Sequence, residues 1–118
     1  MNKQPTVVGF SRIFKRDLKR LIKKYHHIEN DINPFLETLK NGETPGDQIP
    51  GIGYPVYKER LPNRDSQSGQ SGGYRVIYYL RTATEVLILT IYVKSEQSDI
   101  ALERIRSIIA EEIEPPVE

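Results

Sequence analysis

Lys58, Arg60, Arg75 and Lys94 are the residues whose types and positions could do chemistry in this 118-residue chain. In the run Val56–Leu61, alternation sets Val56, Lys58 and Arg60 on one face of a strand, with Tyr57, Glu59 and Leu61 on the other. Arg75 opens the run Tyr74–Leu80 directly after the stretch SGQSGG, and Lys94 follows the run Val86–Val93. Should residues 56–61 pair with 74–80, Lys58 and Arg60 lie near Arg75, and Lys94 ends the next strand over. Four cations then converge on one rim of a sheet with no carboxylate run close by. Like charges gathered this way cost stability, and a bound anion relieves that cost. A phosphodiester backbone is the first candidate. The plainer alternative is four solvated strand-end residues.

The elements that must position these cations centre on residues 74–93. Two runs of β-branched and aromatic residues flank the polar stretch Arg81–Glu85, which reads as the turn of a hairpin. Val76 and Tyr78 alternate with Arg75, Ile77 and Tyr79, and Val86–Val93 is apolar almost throughout, so this hairpin is covered on both sides. Upstream, Thr6–Phe10 reads as a first strand, and Ser11 offers a capping oxygen to the helix that follows. Phe14, Leu18, Leu21, Ile22 and Tyr25 share one face of that helix, and Arg12, Lys15, Arg16, Lys19, Arg20, Lys23 and Lys24 the other. Ile28, Ile32, Phe35, Leu36 and Leu39 repeat the spacing in a second helix, ended by Asn41-Gly42. Proline is tolerated near a helix start, so Asn33 as cap with Pro34 first is the alternative boundary. The two helices read as a hairpin packed on the sheet.

Residues 43–54 are rich in turn formers and read as irregular; 62–73 read as a flexible connection. A last helix is expected to start within Ser95–Ser98, with Ile100, Ile105, Ile108, Ile109 and Ile113 as a rough apolar stripe, before Pro115-Pro116 stops it. This predicts one α+β domain over 1–118, in the order β-α-α-β-β-β-α, with a small antiparallel or mixed sheet of about four strands. It has an N-terminal helical hairpin and a C-terminal helix.

Composition narrows the chemistry. There is no cysteine, and His26 and His27 diverge on any regular element, so no zinc set is expected. No carboxylate cluster of the two-metal kind is visible, and GGYRV leads into a strand rather than a phosphate-binding helix. No cofactor and no metal are expected. No run reaches the ~20 apolar residues of a membrane span, and MNKQPTVV lacks a signal-peptide core, so a cytoplasmic protein without membrane contact is expected. The net charge of +1 hides a basic front and acidic flanks, and a polyanion responds to the local field. The basic helix face reads as a solvated face, or as a patch steering toward nucleic acid. Tyr78, Tyr79 and Tyr92 read as core or sheet-surface residues.

The element order, with SGGYRVIYYL followed by LTIYVKSEQSDI, closely resembles the RelE/HigB/ParE toxin superfamily, in its RelE/HigB-like form. The stretch GETPGDQIPGIGYPVYKERLPNRD upstream is of the same kind, and the resemblance covers nearly the whole chain. It implies a RelE-like fold and the toxin role in a type II toxin–antitoxin system. The implied activity is endoribonucleolytic: ribosome-dependent cleavage of mRNA that inhibits translation. The implied partners are the ribosome, mRNA and a cognate antitoxin of the helix-turn-helix type. Lys58 and Arg60 match the family's basic pair on the second strand, Arg75 the arginine opening the third, and Lys94 the basic residue ending the fourth. Ser95 and Ala101 stand where RelE itself has an arginine and a tyrosine; HigB-like members work with a reduced set. Arg64 and the helix residues Lys15, Lys19 and Lys23 are candidates for further RNA contact.

The implied chemistry needs no metal. The RNA 2′-hydroxyl attacks its own phosphate, Arg75 and Arg60 stabilise the added charge, and Lys58 or Lys94 takes or supplies a proton. Lysine with a pKa of ~10.4 is a weak base at neutral pH, and crowding by other cations favours its neutral form. Two alternatives stay within the superfamily: a ParE-like inhibitor of DNA gyrase that cleaves nothing, and an inactive relic that only binds antitoxin.

Overall fold

Two runs of β-branched and aromatic residues and a two-residue turn at Ala83-Thr84 generate the central hairpin, and the rest of the chain closes over both of its faces. The computed structural model describes residues 5–65 and 73–113. In chain order the elements are β1 (Val7–Phe10), α1 (Arg12–Leu21), α2 (Ile28–Lys40), β2 (Asp47–Gln48), β3 (Val56–Leu61), β4 (Tyr74–Thr82), β5 (Glu85–Val93) and α3 (Leu102–Ile113). They form an α+β fold with one mixed sheet, in the order β1-β5-β4-β3-β2. β1 runs parallel to β5, and every other pair is antiparallel.

The central hairpin is apolar on both faces because both are covered. Against α1 and α2 lie Tyr74, Val76, Tyr78, Ile88, Ile91 and Val93, packed on Phe14, Leu21, Ile28, Phe35 and Leu39. Against α3 lie Ile77, Tyr79, Leu87, Leu89 and Tyr92, packed on Ile105, Ile108 and Ile109. Burying each such aliphatic side chain is worth about 1.5–3 kcal/mol. Ser11 caps α1 as its type suggests: its Oγ accepts from Phe14 N at 2.9 Å and donates to Leu89 O at 2.6 Å. One hydroxyl therefore starts the helix and ties it to β5.

Four sequence expectations are corrected. The sheet has five strands rather than about four, because Asp47–Gln48 inside the expected irregular stretch pairs with Tyr57 and Lys58. Gly46 allows this approach: its φ is +93°, and any Cβ there would run into the Lys58 carbonyl. The second helix starts at Ile28 as its apolar spacing predicts, and it is the alternative boundary at Asn33 that falls, because Pro34 sits inside α2. This proline is exposed, as is Asn30 one turn earlier, so the carbonyl that loses its helical partner can face water. The last helix starts at Leu102, several residues late. Local bonds hold the preceding segment in a turn: Lys94 Nζ to Ser98 O at 2.6 Å, Gln97 Nε2 to Asp99 O at 2.9 Å, and Ile100 N to the Asp99 carboxylate at 2.8 Å. Such side-chain bonds compete with helix. The hairpin turn is also tighter than Arg81–Glu85, because β4 runs on to Thr82 and β5 begins at Glu85. The Pro115-Pro116 stop and most of the 62–73 connection lie outside the described residues.

Candidate functional site

Register decides which cations meet. Arg60 pairs with Arg75 across β3–β4, and Arg75 with Tyr92 across β4–β5. Directly opposed residues share a face, so Arg60, Arg75 and Tyr92 form one cross-strand row on the α3 side of the sheet. Lys58, two residues before Arg60, opens the adjacent row with Ile77 and Thr90. Lys94 follows the end of β5, and its backbone N–H bonds Gly73 O at 3.0 Å. All four predicted cations thus gather at one end of the three strands.

Arg75 is the unusual member. It is only 9% exposed, and its Nη1 donates to Tyr74 O at 3.2 Å. Among the described residues no carboxylate lies within ion-pair distance of it. Its side chain is therefore covered rather than solvated as a strand-end residue would be. Gly73 adds to the crowding, since a Cβ there would stand 2.6 Å from Leu61 O and 3.5 Å from the Arg75 Nη1. A buried guanidinium without a counter-ion is costly, whereas Arg60 beside it is exposed.

The expectation of cations without a nearby carboxylate is overturned by Asp99. Its Oδ1 lies 3.5 Å from Lys58 Nζ and 3.5 Å from the Tyr92 hydroxyl. The backbone bond from Ile100, with smaller contributions from Lys58 and Lys94, holds this carboxyl below its ordinary range against the opposing desolvation. Burial, reinforced by Asp99 and opposed by Arg75, raises the Tyr92 phenol to about 12. Tyr92 and Asp99 are the residues sequence reasoning missed. Tyr92 has the parity of Lys94, but it lies in a run that is apolar almost throughout and so reads as a core or sheet-surface residue. Nothing local marked Asp99, because only the turn after β5 brings it back over Lys58.

The RNA-contact candidates do not join this cluster. Arg64 turns to the other face of the sheet: its backbone N–H donates to Asp31 Oδ2 at 3.1 Å, and its Nε stands 3.1 Å from Oδ1 of that fully buried carboxylate. Lys15 borders an apolar groove between α1 and α2 with Phe10, Leu18 and Ile32. Lys19 and Lys23 are exposed on and just past α1. The basic helix face is also partly neutralised, Arg12 by Glu111 and Lys24 by Glu96. His27 is a structural partner: its backbone N and Nδ1 lie 2.7 and 2.6 Å from the Asp65 carboxylate.

Among the described residues no group of three or more His, Cys, Asp or Glu is placed to hold a metal ion, and no helix is long and apolar enough to cross a membrane. Compared with known proteins, the chain matches no family model and no curated protein sequence.

Proposed function

We propose that the chain is a RelE/HigB-like toxin of a type II toxin–antitoxin system, built on the RelE-like variant of its α+β fold and cleaving mRNA on the ribosome. The observation that carries this reading is Arg75, a buried cation without a carboxylate partner, in line with Arg60 and beside Lys58, Lys94 and Asp99. A substrate phosphate supplies the counter-charge this row lacks.

In the proposed reaction the 2′-hydroxyl oxygen attacks the adjacent phosphorus and the P–O5′ bond breaks. The products are a 2′,3′-cyclic phosphate, open to hydrolysis, and a 5′-hydroxyl. The Arg75 and Arg60 guanidiniums offer paired N–H donors to the non-bridging oxygens as charge accumulates. Of the two lysines, Lys94 takes the 2′-hydroxyl proton and Lys58 gives one to the departing O5′. The donor role falls to Lys58 on position: its Nζ lies 3.5 Å from the Asp99 carboxylate, which can orient it. Tyr92, with its phenol kept protonated, is a neutral donor to the same phosphate. The ribosome supplies the substrate alignment, which is the largest share of catalysis for so plain a set of groups. A cognate antitoxin with acidic side chains reaching the same cations would neutralise it.

Induced expression should arrest growth, and purified protein should cut ribosome-bound mRNA, leaving 5′-hydroxyl ends in primer extension, while naked RNA survives. Efficient digestion of naked RNA that EDTA abolishes would defeat this mechanism. Growth arrest with intact mRNA and trapped gyrase–DNA breaks would favour the ParE-like alternative.

A further inference from the structure

Arg16 and Arg20 of α1 are exposed. With Arg104 of α3 they line a polar cleft of about 320 Å³, walled also by Asp17, Thr90 and Tyr92. The cleft holds three guanidiniums and one carboxylate, and that carboxylate is already engaged. Asp17, 7% exposed, accepts the Thr90 hydroxyl at 2.9 Å on Oδ2 and meets Arg16 Nη2 at 3.1 Å on Oδ1. It therefore holds Arg16 in place and has little left for the others. Among the described residues Arg20 and Arg104 have no carboxylate within ion-pair distance; Arg104 Nη1 meets only the Ser107 hydroxyl, at 3.4 Å. Glu96 feels the Arg20 charge, but its Oε2 is taken by Lys24 at 2.9 Å and Tyr25 at 2.7 Å.

Exposed guanidiniums facing one concavity repel one another and present donor forks matched to a phosphate. The cleft also shares one residue with the proposed cleavage row. Tyr92 forms one of its walls and pairs in register with Arg75, and neighbouring strands lie only about 4.8 Å apart. We infer that this cleft is a second phosphate subsite, which takes a neighbouring phosphate of the same single-stranded RNA through Arg16, Arg20 and Arg104. Its place along the RNA rests on the reading of the Arg75 row as the cleavage site. Its anion chemistry rests on its own three arginines. An acidic protein segment is the competing occupant. RNA is favoured because Tyr92, a wall of the cleft, pairs in register with Arg75, which has no carboxylate partner among the described residues.

The test uses a fluorescent hexaribonucleotide with 2′-O-methyl groups, which cannot be cut, and measures anisotropy across a salt series. The variants are R20A/R104A and the charge-preserving R20K/R104K. The alanine pair should weaken binding about tenfold and lower the log–log salt slope by about 0.7 for each phosphate no longer neutralised. The lysine pair should keep the slope while losing part of the affinity, since it keeps charge without the fork. Thermal melting confirms that each variant is folded, as exposed side chains at these positions allow. Wild-type affinity and slope in the alanine pair would overturn the subsite. So would failure of the wild-type chain to bind the probe, or displacement of the probe by oligoglutamate more effectively than by unlabelled RNA. If the wild type binds, the alanine pair weakens and no ribosomal cleavage occurs, the subsite stands and the cleavage reading falls.

Discussion

Replacing Arg75 with Met should make the protein more stable and far less active. The substitution keeps an unbranched apolar stem of similar reach while removing a charge that is 9% exposed and has no carboxylate partner among the described residues. The bond removed, to Tyr74 O at 3.2 Å, is worth about 1.5–3 kcal/mol for a charged donor. Burying an ion without a counter-ion costs several kcal/mol, and apolar replacements at buried ionic sites are often stabilising by about 1–4 kcal/mol. The balance favours Met by about 1 kcal/mol, or roughly 4 °C in Tm for a domain of this size. Cleavage should fall about 10²–10³-fold, as when one donor to an accumulating charge is removed, about 2.7–4 kcal/mol. Melting followed by circular dichroism reads the first quantity, and quantitative primer extension on translating ribosomes reads the second. A Met variant that melts lower by more than about 1 kcal/mol would show that Arg75 serves the fold. A Met variant that cleaves normally would remove it from the site.

Gly46→Ala should destabilise by about 1–3 kcal/mol through the positive φ and the collision with the Lys58 carbonyl, with hydrogen exchange rising across residues 56–61. Gly53→Ala has a similar φ of +91° with nothing within 4 Å of the added Cβ, so it should cost less; equal losses would refute the steric reasoning. Asp65 raises the His27 imidazole above its ordinary value, and His27 holds the Asp65 carboxyl below its own. The ion pair's stabilisation is therefore fully present between the ordinary values of 3.8 and 6.5. It is lost as pH rises through the raised histidine value or falls through the lowered aspartate value. Asp65→Asn should lower the His27 titration midpoint by NMR and melt closest to wild type at the two pH extremes; a midpoint unmoved by the substitution would break the assignment.

What the sequence determined by itself was local. Period-two alternation defined β3, two β-branched and aromatic runs defined the hairpin of β4 and β5, the 3.6-residue period defined α1 and α2, and Ser11 and Gly42 marked the ends their backbone chemistry favours. Parity alone aligned Lys58 with Arg60 and brought that pair to Arg75 once the two strands were taken as neighbours. The decisions left to tertiary structure all join residues distant in sequence. β1 pairs in parallel with β5, some eighty positions away. Pro34 stays helical because neighbouring turns and packing outweigh its one missing bond. Arg64 is drawn to Asp31 rather than to the cations. The burial of Arg75, the return of Asp99 over Lys58, and the gathering of Arg16, Arg20 and Arg104 around one cleft belong to the same class. A side chain's type and periodicity set which way it leaves the backbone, whereas its electrostatic surroundings are summed over whatever the fold brings within a few ångströms.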